Sequence, residues 1–135
     1  MFDLQNIINI SPYSLSSREK KELYIKALTD LTEYHYNNCS QYRKIVDVLG
    51  CDLSSISKVE EIPFIPVRLF KKYELISVDR SQIIKTMMSS GTTGQSVSKI
   101  YLDKLTSANQ TKVLTKIVSS FTGTKRLPML VIDTS

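Results

Sequence analysis

The chain has 135 residues, 41% of them hydrophobic and 23% charged, with 18 Lys+Arg against 13 Asp+Glu for a net charge of +5. That composition is too apolar and too evenly charged for disorder, and no apolar run approaches the ~18 residues of a membrane span. The N-terminus has no basic stretch followed by an apolar one, so the default address is the cytoplasm.

In chain order, residues 1–15 alternate weakly and contain Pro12, which reads as an arm or short helical lead-in. Ser16 followed by Glu19 is a capping box. Leu23, Ala27, Leu28, Leu31 and Tyr34 then recur at helical spacing to about Tyr36, and Asn37-Asn38 ends the helix. Ser40 is positioned to cap a second helix with Tyr42, Ile45, Val46 and Leu49 inward, stopped by Gly50. Residues 1–60 are therefore expected to be mainly helical.

Pro63 and Pro66 forbid a helix interior between them, though Pro66 can open a helical turn. The Ile62–Phe70 stretch is either an apolar segment tucked onto the core or the wall of a ligand channel or partner site. Residues 73–78 and 83–88 read as strands, 89–94 as a loop and 99–102 as a further strand. Asp103 is placed to cap a long helix with Leu105, Ala108, Leu114, Ile117, Val118 and Phe121 inward, ended by Gly123. The apolar run 128–132 suits a strand buried on both faces of a sheet. The sum is an α/β arrangement, and so few residues follow the last strand that the chain is expected to be the N-terminal part of a larger protein.

The basic residues are scattered and accompany no nucleic-acid recognition motif. Cys39, Cys51 and the single histidine, His35, lack the spacing of a zinc site, so no metal ligands are assigned. Both cysteines read as reduced, buried filler.

The chemistry sits in Ser89-Ser90-Gly91-Thr92-Thr93-Gly94, which holds two of the chain's four glycines among four hydroxyls. Glycines let successive amides point into one concavity and hydroxyls add donors, so the loop is suited to phosphate oxygens. It is not a Walker P-loop, because Ser96 stands where that motif requires Gly.

This loop resembles the signature of adenylate-forming enzymes. The common pattern continues Gly-x-Pro-Lys, whereas here Gln95-Ser96-Val97 follow and the lysine comes at Lys99. Taken with Tyr36-Asn37-Asn38-Cys39-Ser40-Gln41-Tyr42, with Ile62 to Lys71 and with the closing 128–133, the chain is similar to the LuxE family of acyl-protein synthetases, the long-chain-fatty-acid–luciferin-component ligases of bacterial bioluminescence. The resemblance implies a helical N-terminal region followed by part of the large α/β domain of an adenylate-forming enzyme. It implies a ligase that uses ATP and Mg2+ to activate a carboxylic, in that family fatty, acid to an acyl-adenylate. The acyl group then passes to a protein thiol and onward to a partner such as a fatty acyl reductase. Ser89, Ser90, Gly91, Thr92, Thr93, Gly94 and Lys99 would bind the nucleotide, with 63–70 near the acyl group. Neither Cys39 nor Cys51 matches the family's acyl-accepting cysteine, and no catalytic residue is assigned. The alternatives are an acid–CoA ligase of the phenylacetate–CoA ligase type and a non-catalytic α/β module that docks a partner through 63–70.

Overall fold

The computed structural model describes residues 4–89, 97–126, 128 and 130. The lead-in forms a short helix, α1 (Leu4–Asn9), and the chain then turns at Ser11–Ser14. The long helix α2 (Ser17–Asn38) starts where the capping box places it: Ser16 Oγ accepts the Glu19 amide, and Glu19 Oε2 accepts the Ser16 amide at 2.8 Å. Its end is set two residues later than the periodicity suggests. Asn38 Nδ2 reaches back to the Tyr34 carbonyl at 2.7 Å, and Arg43 donates to the carbonyls of Tyr36 and Asn37 at 2.9 and 2.8 Å. These bonds satisfy carbonyls that a helix C-terminus leaves without partners.

Helix α3 (Ser40–Leu49) follows after a single residue. Cys39, not Ser40, is its cap. The one extended residue between the helices closes α2 and opens α3, and its Sγ accepts the Tyr42 amide at 3.4 Å. Cys39 is buried, as expected of filler, and Cys51 is half-buried. Gly50 ends α3 in the left-handed region, φ 63°, which glycine enters without the Cβ clash of other residues. Two 3-10 turns follow at Leu53–Ser55 and Val59–Glu61.

Pro66 does open a helical turn, accepting from the Leu69 amide at 2.9 Å ahead of α4 (Leu69–Lys72). The segment before it is split rather than tucked in. Ile62, Pro63 and Ile65 are half-buried, whereas Phe64 is 81% exposed and Val67 is exposed.

Residues 73–78 form no strand. The backbone turns instead, the Ile76 amide donating to the Glu74 carbonyl at 3.1 Å; Tyr34 Oη donates to the Ser77 carbonyl, and the Glu74 side chain engages Arg80 and Tyr101. Strands β1 (Ile83–Met88) and β2 (Lys99–Asp103) pair antiparallel, Met88 opposite Lys99 and Met87 opposite Ile100, with an irregularity between Ile83 and Lys85. Helix α5 (Lys104–Thr122) is capped by Asp103, whose Oδ1 takes the Thr106 amide at 2.6 Å, and ends at Gly123.

The face that α5 buries differs from the expected one. Asn109 is buried and Val113, Lys116 and Ile117 are half-buried, while Leu105, Leu114, Val118 and Phe121 are exposed. α1 decides this. Gln5 Nε2 donates to Asn109 Oδ1 at 3.0 Å, and Lys116 Nζ donates to the carbonyls of Ile8 and Ile10 at 2.7 and 2.9 Å. Among the described residues the buried apolar side chains are Ile8, Ala27, Cys39, Val46 and Leu102. The architecture is thus mixed, helices with a two-stranded sheet, and compatible with the α/β class. The strand expected at 128–132 lies outside the described residues except for Pro128 and Leu130, which belong to no regular element.

Candidate functional site

The hydroxyl- and glycine-rich loop joins β1 to β2, so it closes an antiparallel hairpin rather than leading from a strand into a helix. Of the candidate residues, Ser89 and Lys99 are described; Ser90, Gly91, Thr92, Thr93 and Gly94 lie outside the described residues. The two stems are fastened at the last rung. The Ser89 amide donates to the Ser98 carbonyl at 3.1 Å, and the Ser98 amide donates to Ser89 Oγ at 3.0 Å. Because Ser89 Oγ accepts here, its own proton is left to donate elsewhere.

Ser98 is the residue the sequence reading missed. It is only 8% exposed, and its Oγ has no hydrogen-bond partner among the described residues. A buried hydroxyl in that state costs about 1–3 kcal/mol until something pairs with it. Side chains alternate across a strand, so Ser98 faces inward and Lys99, its neighbour, lies exposed on the opposite face. The fold therefore brings Ser89 and Ser98 together and sets Lys99 one rung away, opposite Met88.

For a phosphate group the loop base offers the remaining Ser89 hydroxyl proton; Ser98 Oγ is buried, and the Lys99 side chain lies on the opposite face of the strand. For the ion that would accompany it, the described residues contain no group of three or more His, Cys, Asp and Glu able to hold a metal. A magnesium ion is suited to such a place only when the phosphates supply part of its oxygen shell.

A second polar cluster sits between α2 and the segment 73–78. His35 Nδ1 lies 2.7 Å from Ser77 Oγ, and burial pushes the imidazole below its ordinary pKa, so the neutral ring is favoured. Both residues line a cavity of 680 Å³ that Tyr101 and Asp103 also border. No sequence signal marks this pair, which is separated by 42 residues.

No helix among the described residues is long and apolar enough to cross a membrane. No solved structure matches the chain. The family described as "Acyl-protein synthetase, LuxE" matches residues 3–135. A long-chain-fatty-acid–luciferin-component ligase of Vibrio harveyi is 30% identical over 84 residues, which are 62% of this chain and 22% of that protein. A protein of the same name from Photorhabdus luminescens is 27% identical over 88 residues, 65% of this chain and 75% of that one. The chain thus aligns with about a fifth of the length of the Vibrio relative. The match over nearly every residue makes it a member of the acyl-protein synthetase family LuxE.

Proposed function

We propose that this member of the family contributes the phosphate-binding hairpin of an ATP-dependent, cytoplasmic ligase that activates a fatty acid. In the reaction proposed, an oxygen of the acid's carboxylate attacks the α-phosphorus of ATP, and the bond to the β-phosphate oxygen breaks, releasing pyrophosphate. A protein thiol then attacks the acyl carbon and AMP leaves, giving a thioester that a partner reductase would consume. Residues 1–60 form the helical region and 61–135 the part that carries the loop.

The observation supporting this reading is the family match over residues 3–135, which includes Ser-Ser-Gly-Thr-Thr-Gly between β1 and β2. In this reading Ser89, Ser90, Gly91, Thr92, Thr93 and Gly94 surround the nucleotide phosphates. Ser98 supplies a buried hydroxyl at their base, and Lys99 adds positive charge from the adjoining rung. Donors fixed before the reaction act where charge develops, and a phosphoryl clamp of this kind supplies several kcal/mol of transition-state stabilisation. One hairpin with one lysine is a partial clamp, so the 135-residue chain alone is expected to bind ATP and to catalyse little ATP–pyrophosphate exchange.

Nucleotide binding is the direct test. At ATP tenfold above its Kd, binding to the native state alone raises stability by about 1.4 kcal/mol, a shift of several degrees in Tm for a domain of this size. Gly91→Val places a β-branched side chain where amides must converge and is expected to erase the shift while leaving the ATP-free Tm unchanged. Absence of any ATP-induced shift in the parent chain, or its survival in Gly91→Val, overturns the assignment.

A further inference from the structure

We infer that Ser77 and His35 form a nucleophile–base pair that hydrolyses small carboxylic esters whose alcohol part carries a positive charge. Ser77 Oγ and His35 Nδ1 are 2.7 Å apart, within the reach a base needs to take a hydroxyl proton. The pair lines the cavity bordered by α2, the segment 73–78 and the end of β2. At 680 Å³ that cavity is within the range of small-molecule sites.

Both members are held in place. The His35 ring stands edge-on to Tyr34 at 5.4 Å and to Tyr42 at 6.1 Å between centroids. The Ser77 carbonyl accepts from Tyr34 Oη at 3.3 Å. No carboxylate bonds to His35 among the described residues, so the two aromatic rings do the orienting that an acid does in a triad. The neutral imidazole that burial favours leaves Nδ1 able to accept.

Donors for a developing oxyanion stand beside the pair. The segment 73–78 belongs to no ladder, and the amides of Ser77 and Val78 have no acceptor among the described residues. Ile76, Ser77 and Val78 all line the cavity. Backbone N–H groups with nothing to donate to, next to a nucleophilic oxygen, are suited to a tetrahedral oxyanion.

Charge selects the substrate. The charged residues on the lining are Asp30, Glu33 and Asp103. Asp103 Oδ1 is committed to the Thr106 amide. Asp30, half-buried, and Glu33, exposed, have no hydrogen-bond or ion-pair partner among the described residues. In a chain of net charge +5, this lining repels a free carboxylate and attracts a cation, which the rings of Tyr34 and Tyr101 also favour.

In the reaction, Ser77 Oγ attacks the ester carbon as its proton passes to His35 Nδ1. The bond to the alcohol oxygen breaks, and that oxygen takes the proton from His35. Water then attacks acyl-Ser77, giving the acid and restoring the serine. Neither ATP nor the 89–98 hairpin takes part, so this activity stands apart from the ligase reaction proposed above.

The first experiment treats the 135-residue chain, without ATP, with an alkyl fluorophosphonate, whose P–F bond breaks as Ser77 Oγ bonds to phosphorus. One adduct per chain is expected by intact mass, mapped to Ser77 by peptide mass spectrometry. It should be absent in Ser77→Ala and form about tenfold or more slowly in His35→Gln, both with the parent's far-UV circular dichroism. Ser120→Ala, an exposed serine of α5, should label as the parent does. Butyrylcholine is then expected to be hydrolysed with a kcat/KM about threefold or more above that of its neutral isostere, 3,3-dimethylbutyl butyrate, and Asp30→Asn should erase most of that preference. Absence of an adduct on the parent chain, labelling that survives Ser77→Ala, or equal rates on the two esters overturns the inference.

Discussion

Helices α3 and α5 carry apolar residues at similar spacing, yet they end in opposite situations. In α3 three of the four expected residues face inward: Tyr42 and Ile45 are half-buried and Val46 is 1% exposed, while Leu49 is exposed. In α5 Leu114 and Val118 stay exposed and Phe121 is 72% exposed; of the expected residues Ile117 is half-buried, and it shares the inward face with Asn109, Val113 and Lys116. The difference lies in the partner rather than the helix. α3 returns on α2 after one residue, where the Tyr42 ring stands edge-on to His35 at 6.1 Å and Tyr36 Oη donates to Asp47 Oδ1 at 2.8 Å, contacts that leave Val46 buried. α5 meets α1, whose Gln5 side chain and C-terminal carbonyls at Ile8 and Ile10 ask for hydrogen bonds, so polar groups win the contact.

The largest effect that tests this contrast comes from a charge at each place. Val46→Asp buries an unpaired carboxylate and is expected to lower unfolding stability by about 3 kcal/mol or more in urea denaturation. Val118→Asp, the same exchange on α5, should cost under about 1 kcal/mol. Comparable losses at the two positions would mean that the outer face of α5 is covered.

An intermediate effect is expected at the α2 cap. Ser16→Ala removes the side-chain half of the capping box and should cost about 1 kcal/mol, read as a fall in Tm and in helicity near the α2 N-terminus. No loss would assign the helix start to packing alone.

The smallest effect is a pH dependence confined to the helical half. Burial lowers the pKa of His35 in the native state. Above the ordinary histidine pKa, near 6.5, both states hold the ring neutral and stability is flat. As the pH falls below it, the unfolded chain binds a proton that the native state resists. Stability then declines until the lowered native pKa is passed. Urea midpoints between pH 7.5 and 5 should show this decline, and His35→Gln should flatten it. An unchanged slope in His35→Gln would place the titration elsewhere.

The setting of the candidate loop was legible in advance. The loop's residues stand together in sequence, and both flanking strands lie where alternation puts them. What could not be read was the partner of each strand and the face each stem residue turns. Ser98 looked like one more hydroxyl among many, and only its place opposite Ser89 shows it buried, its Oγ without a partner among the described residues. The segment 73–78 has a strand's composition, but a ladder requires a neighbour with free backbone groups. Here Tyr34 and His35 meet Ser77 first.

The sequence by itself determined the features whose partners lie within about four residues: the Ser16–Glu19 box, the left-handed stop at Gly50, the Asp103 cap and the glycine- and hydroxyl-rich loop. These form through local hydrogen bonds and backbone sterics, which are the same in any surroundings. The tertiary structure decided the hairpin pairing across the loop, the inward face of α5 and the His35–Ser77 contact. Each of these depends on which distant groups compete for the same surface, and periodicity along one element carries no record of that competition.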